Sequence, residues 1–425
     1  MGFTRTLRVI SGVVLTGALV LTSAPNAAAD QVRDDQWVLK SLDAESIWKT
    51  TRGKGEVVAV IDDGVNAQHR DLRGNVLDGK DFIDGGSAAP DKGDDHGTGM
   101  SGIIAAHGHG QGNRDGAVGL APEAKILPIR DLGKRDDGYA AAIRYAVDRG
   151  ASVINISQKQ DNPLDKDAES KAITYALKRN VVIVAGTGND GGRVGYPAAY
   201  PGVVGASGLQ KNGTFWQKSN RGKGTLLSAP AVDVVSTGGP SNLNGYRIGD
   251  GTSDATAFIS ASAALLKAKY PDLTAGQIVN RLTKTAEMPA SEKGAKLPDE
   301  QYGYGAIRPL AALQEDIPKG SKYGPLSVPE KLKQDEKVAE KERESKAQQE
   351  QADKEFVILW AITGVLALLF VGGIVLTIVL VRRRKRNRNN GPGGGPGGPA
   401  SGAYGYAPGQ VPQQQGPYVQ QPPYN

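Results

Sequence analysis

The chain has 425 residues, 51 Lys and Arg against 45 Asp and Glu, a formal net charge of +6, a pI near 9.1 and no cysteine. The missing cysteines exclude a disulfide framework, a thiol nucleophile and a cysteine-ligated metal. Six basic residues between Arg382 and Arg388 equal the whole charge excess, so the basic pI gives no support for nucleic-acid binding and points to a membrane-flanking cluster.

Residues 1–29 carry Arg5 and Arg8, an apolar stretch from Val9 to Leu21 and then Ala27-Ala28-Ala29. This is the pattern of a secretory signal peptide, so the mature chain is expected to start near Asp30. Trp37 and Trp48 read as packing anchors of the domain's first helix, and the stretch before Asp62 is expected to be a short N-terminal extension of that domain.

The run Val57-Val58-Ala59-Val60-Ile61-Asp62 is predicted as a buried parallel strand that ends on a carboxylate, with Gly64 allowing a sharp exit. The C-terminal ends of such strands are where open α/β sheets build their sites. His69 is expected at the surface. His96 opens a run of small residues from Gly97 to Ala106 that suits a closely packed helix, and the helix dipole is expected to lower its pKa and favour the neutral base. His107 and His109 form an H-x-H pair without a carboxylate cluster to complete a metal site, and are expected on a solvated loop.

Val153-Ile154-Asn155-Ile156-Ser157 reads as a further strand, followed by the polar pair Gln158-Lys159, and Val181 to Ala185 as another. Beyond it, Gly186-Thr187-Gly188-Asn189-Asp190-Gly191 matches G-x-G-x-x-G. A dinucleotide fingerprint needs a helix at its third glycine, and here Gly192, Gly195, Pro197 and Pro201 follow instead. Gly251-Thr252-Ser253 leads into an Ala-rich helical run from Ala255 to Leu266, whose first N–H groups would face a developing oxyanion. A serine hydroxyl is a poor nucleophile unless an imidazole takes its proton and a buried carboxylate holds the imidazole in the right tautomer. Asp62, His96 and Ser253 supply all three.

Residues 318–355 are rich in Lys, Glu and Gln and lack a hydrophobic stripe. They read either as disordered or, from Pro329, as a solvated helix with pairs such as Glu342/Lys346 and Glu350/Lys354. The apolar run 356–381 is ~39 Å long as a helix, enough to cross a ~30 Å hydrocarbon core with tilt. The basic cluster that follows places residues 382–425 in the cytoplasm and the domain at residues 30–317 outside. The Gly/Pro/Gln/Tyr-rich tail from Asn389 has too few apolar residues to fold.

These segments resemble the subtilisin-like serine proteases, whose blocks read approximately V-x-V-I-D-[TS]-G, H-G-T-x-x-[AS]-G and G-T-S-M-A-x-P. Val181 to Asp190, Val118-Gly119-Leu120-Ala121-Pro122, Tyr196 to Pro201 and Gly303-Tyr304-Gly305 extend the resemblance over about residues 35–317. It implies an α/β fold of three layers, a mostly parallel sheet with helices on both faces, and a peptide-bond hydrolase. It implies Asp62 as the orienting carboxylate, His96 as general base and acid, Ser253 as nucleophile and Asn189 as the side-chain oxyanion donor. It also places Ser157, Gln158 and Lys159 in the segment that pairs with substrate backbone, where a polar, cationic edge implies narrow specificity, unless both side chains simply face solvent.

The chain departs from the family pattern at three further positions. Asp63 replaces a small hydroxyl residue, Ala257 a proline and Asp254 an apolar residue. A carboxylate ~4 Å from the oxyanion would oppose it by about 4 kcal/mol at an effective dielectric near 20, unless Asp254 points outward. Relatives usually bind calcium, but no D-x-[DN]-x-[DN]-G loop is present, so no cofactor is expected and a calcium site stays unassigned. The order of signal peptide, short extension, protease domain, spacer, single span and tail resembles the mycosins, membrane-anchored subtilisin-like proteases of type VII secretion. That resemblance implies polypeptide substrates and a secretion membrane complex as partner. A weakly active or non-catalytic scaffold subunit and a leader peptidase are the alternatives.

Overall fold

The computed structural model describes residues 31–239 and 243–388. The expected signal peptide and the tail from Asn389 lie outside the described residues.

Where one helix was expected before the sheet, residues 31–35 are helical and the short helices α1 (Trp37–Ser41) and α2 (Ala44–Thr50) follow them. The indole of Trp37 donates to Asp233 O and that of Trp48 to Leu120 O, and both rings pack on the core, which ties this extension to the domain. Along the chain follow β1 (Val57–Asp62), β2 (Lys80–Asp81), α3 (His96–Ala105), β3 (His107–His109), β4 (Asp115–Val118), β5 (Lys125–Arg130), α4 (Ala140–Asp148), β6 (Val153–Ile156), α5 (Lys166–Lys178) and β7 (Val182–Gly186). Then come β8 (Val203–Leu209), β9 (Thr225–Pro230), the hairpin strands β10 (Val234–Thr237) and β11 (Tyr246–Gly249), and the helices α6 (Thr252–Lys269), α7 (Ala275–Thr285), α8 (Pro309–Gln314) and α9 (Glu330–Arg388).

Seven strands form one parallel sheet in the order β2-β5-β1-β6-β7-β8-β9. The order reverses at β1, which lies between β5 and β6, so Asp62 ends the strand at the switch point where such sheets leave a crevice. Strands covered on both faces carry apolar residues without alternation, and β1, β6, β7 and β8 are buried almost throughout.

Helix α6 is buried from Thr252 to Lys267 and runs against β6, β7, β8 and β9, with α3 packed beside it. A helix hidden all round has no amphipathic stripe, and the alanines of α6 allow this close approach. Its buried hydroxyls find partners inside, as in Ser260 Oγ to Asn155 Oδ1 at 3.0 Å. Helices α4 and α5 pack on each other and against β5 and β7. Asp165 caps α5 by accepting from the N–H groups of Asp167 and Ala168.

The first compact unit extends to Ala339, with Leu326 and Leu332 in its core and Lys178 paired with Asp335 at 2.8 Å. The second begins at Glu340. Its charged and apolar residues up to Arg388 are helical, so the charged segment takes the helical alternative. Neither Glu342–Lys346 nor Glu350–Lys354 closes an ion pair; the pairs formed at this level of the chain are Lys322–Glu336 and Glu330–Lys333. The apolar side chains from Phe356 to Val381 are exposed, and an 18-residue window there has mean hydropathy 2.9. Length and composition suffice to cross a membrane.

Candidate active site

Asp62 is fully buried at the end of β1. Gly64, at φ 114°, turns the chain where a Cβ would meet the backbone of Ala89 and Pro90 within 2.8 Å. This sharp exit brings the start of α3 against the strand end, where His96 Nδ1 lies 2.8 and 2.9 Å from the two Asp62 oxygens. Nδ1–H therefore donates to the carboxylate and Nε2 is left for proton transfer. Asp62 Oδ1 also accepts from the Asp63 N–H at 2.8 Å and from Gln158 Nε2 at 3.0 Å.

The expectation of a lowered His96 pKa is corrected. Burial does lower it, but the charge and hydrogen bond of Asp62 outweigh burial, and the imidazole is held above its ordinary value. The Arg247 guanidinium works in the other direction, and Asp63 adds to the increase. A neighbouring full charge exceeds the partial charge at a helix end.

Asp63 has a clear local task. Its Oδ2 accepts from the His96 N–H at 3.2 Å and its Oδ1 from the Gly97 N–H at 2.7 Å, so it caps α3 from another segment, while the adjacent Asp95 makes no side-chain cap. Burial and the neighbouring Asp62 raise its pKa to about 6 against these hydrogen bonds.

Ser253 is the second residue of α6 and 7% exposed. Its Oγ donates to Ser157 O at 3.1 Å, and Ser157 Oγ donates back to Ser253 O at 3.1 Å. The hydroxyl is thus bonded at the strand end, and Ser253 and His96 line one cavity of about 450 Å³. Rotation about χ1 redirects Oγ, and links of this kind often tighten only with substrate bound.

Asn189 lies three residues beyond β7, and its Oδ1 accepts from both the N–H and the hydroxyl of Thr252 at 2.9 Å. Only the carbonyl oxygen can accept, so Nδ2 is left as a donor, and Asn189 lines the same cavity as Ser253. The Ser253 N–H has no partner among the described residues. Two donors therefore stand beside the nucleophile, the arrangement an oxyanion requires.

Asp254 does not point outward. It is 1% exposed, and Oδ1 lies 3.9 Å from Arg247 Nη1, an ion pair in which neither atom makes a hydrogen bond. Burial raises its pKa to about 6, with Arg247 and His96 opposing. Arg247, on β11, also lies 3.7 Å from Asp95 and against Gly99 of α3, so it spans the starts of α3 and α6. Nothing in the hairpin sequence marks Arg247 as the counter-charge of Asp254; only the fold brings the two together.

The side chain of Gln158 turns inward to Asp62 Oδ1 at 3.0 Å rather than to solvent, while the residue lines the cavity together with Ser157 and Lys159. One more expectation is corrected. His69 is not at the surface but 6% exposed and bonded to Gly245 O, and His107 and His109 are half-buried on β3 rather than on a solvated loop. Asp71 holds His109 Nδ1 at 2.6 Å and Tyr246 Oη at 2.9 Å, and both His107 nitrogens face backbone carbonyls. These contacts engage both nitrogens of His107 and Nδ1 of His109.

Among the described residues no group of three or more His, Cys, Asp or Glu side chains is placed to hold a metal ion, and the calcium that the resemblance implies stays unassigned. Three carboxylates, Asp81, Asp84 and Asp91, close around the Arg130 guanidinium, with Nη1 at 2.8 Å from Asp81 and 2.7 Å from Asp84. A further cation there would be repelled.

A parallel sheet with a carboxylate–imidazole pair at its switch point and a serine opening the central helix defines a serine-type peptidase. Residues 53–305 match the Subtilase family, and the chain belongs to that family. It is similar to Mycosin-4 of Mycobacterium tuberculosis (strain ATCC 25618 / H37Rv), 34% identical over 337 residues that cover 68% of this chain and 72% of that one. Among solved structures it is similar to MycP1 from Mycobacterium smegmatis, with TM-score 0.58 and 29% identity over 69% of this chain and 88% of that one. The MycP3 protease from the type VII (ESX-3) secretion system aligns with TM-score 0.56 and 31% identity over 66% and 88%.

Proposed function

We propose that the chain is a membrane-anchored serine endopeptidase that hydrolyses peptide bonds of exported polypeptides in association with a type VII secretion complex. The observation that carries this reading is the Asp62–His96 pair facing the same cavity as Ser253 and Asn189. Ser253 Oγ attacks the carbonyl carbon as His96 Nε2 takes its proton. Asn189 Nδ2 and the Ser253 N–H hold the oxyanion, Asp62 stabilises the imidazolium, and His96 returns the proton to the departing amine. Water then repeats the sequence on the acyl-enzyme. The mycosin relatives support the secretion context. The span 356–381 with the basic cluster behind it supports a domain outside and a tail in the cytoplasm.

A fluorophosphonate probe tests the catalytic reading. Wild-type protein is expected to label at Ser253, with labelling abolished in Ser253→Ala and reduced on the order of 10⁴-fold in Asp62→Asn. The rival reading, a scaffold that keeps the fold without turnover, draws on the Ser253 hydroxyl bonded to Ser157 and on the buried Asp254. Absence of labelling in folded protein, together with full secretion by Ser253→Ala, would favour the scaffold.

A further inference from the structure

Lys159 crosses the cleft. It lies three residues beyond β6 on one wall, and its Nζ reaches Asp190 Oδ2 on the opposite wall at 2.8 Å, with Asp161 on the outer side at 2.5 Å. The stem is not in solvent, for the side chain is only 20% exposed. A Cβ placed on Gly195 would lie 2.5 Å from Lys159 Cγ, and one on Gly188 3.1 Å from it, so the methylenes lie against two stretches of bare backbone.

The direction of the reaction says what this space is for. His96 must face the departing nitrogen to return its proton, so the leaving side of the peptide lies toward His96. The residue that carries the attacked carbonyl lies toward Asn189, and its side chain enters between the walls that Lys159 bridges. On the basis of the catalytic reading above, we propose that Lys159 is a specificity-determining residue whose stem fills this subsite and restricts the residue on the acyl side of the cleaved bond to small uncharged side chains such as Ala, Gly or Ser. A large side chain must expel the stem from between Gly188 and Gly195. An acidic one meets an ammonium that two carboxylates already neutralise, and a basic one meets that ammonium itself. Surface ion pairs hold weakly, so the filling of space by the stem dominates the discrimination.

The test uses the full chain in detergent, with Ser253→Ala as background so that binding is read without turnover. Calorimetry compares two pools of peptides that differ only in Ala or Phe at the acyl-side position. The Ala pool is expected to bind about tenfold or more tightly. Adding Lys159→Ala should bring the two within about threefold by strengthening the Phe pool, while Lys159→Met, which keeps the stem, should retain the preference. Equal binding in the parent, binding of neither pool, or an equal change of both in Lys159→Ala overturns the assignment. Failure of probe labelling at Ser253 would instead overturn the catalytic reading and leave the binding result standing.

Discussion

The N-terminal ends of α3 and α6 present the same problem with two outcomes. Each helix opens on a reactive residue, His96 or Ser253, and each has a carboxylate where the family pattern has an uncharged side chain. At α3 the carboxylate comes from outside the helix: Asp63 satisfies two of the orphan N–H groups. At α6 Asp254 belongs to the helix itself, cannot reach forward, and is left with Arg247 at 3.9 Å. Burial raises both to a pKa of about 6. Both carboxylates lie near a helix N-terminus, so it is the partner that makes one a cap and the other a buried acid beside a guanidinium. The separation also keeps the Ser253 N–H free for an oxyanion, because Asn189 takes the Thr252 N–H.

Of the substitutions that separate the two helix ends, the largest effect is expected at that last contact. Asn189→Ala should lower kcat about 100- to 1,000-fold with little change in KM, measured on a cleavable peptide. It also leaves the Thr252 N–H without its acceptor, so a fall in thermal stability should accompany the loss. Intact stability with intact kcat would remove Asn189 from the account of α6.

Asp254→Asn tests the buried acid through pH. A carboxyl whose folded pKa is above its unfolded one holds its proton longer when folded, so wild-type stability falls as pH rises from about 4 to about 6. The asparagine variant lacks that fall. Its stability relative to wild type should therefore rise across this window by up to about 3 kcal/mol, since one pKa unit corresponds to about 1.4 kcal/mol. Urea unfolding at pH 4 and pH 7 measures it, and a pH-independent difference would mean that Arg247 fully neutralises Asp254.

What was legible in the sequence follows from the range of the interactions. The strands β1, β6 and β7 and the helices α3 and α6 are marked by local signals, continuous apolar runs or stretches of small residues, and all five form. Asp62, His96, Asn189 and Ser253 stand in recognisable blocks, and the structure gathers them at one crevice. Features set by distant partners were not legible. His69 is buried by Gly245, 176 residues away, and Gln158 reaches Asp62 across 96. Asp254 depends on a guanidinium from the β10–β11 hairpin, and the His96 pKa is decided by Asp62 over the dipole. Leu326 and Leu332 join the core from a segment whose polar composition conceals them.

The α3 end offers the smaller tests. Asp63→Ala removes the acceptor from two N–H groups and should cost about 1–2 kcal/mol of stability, the scale of a lost cap. Asp63→Ser should recover part of this, and an unchanged midpoint in urea would show that water caps the helix equally well.

Gln158→Leu probes the same end through the imidazole. The amide donates to Asp62 Oδ1, the oxygen shared with His96, and so draws on the negative charge that holds the imidazolium. Without the donor that charge is less offset and His96 becomes more basic. The acid limb of kcat/KM, which in wild type should lie above the ordinary histidine value, is then expected to move further up by a few tenths of a pH unit, with kcat at the plateau changed less than about tenfold. A shift in the opposite direction would mean that Gln158 acts on substrate rather than on Asp62. The polar replacement would then belong to the specificity of the cleft, beside Lys159, and the α3 end would owe its basicity to Asp62 and Asp63 alone.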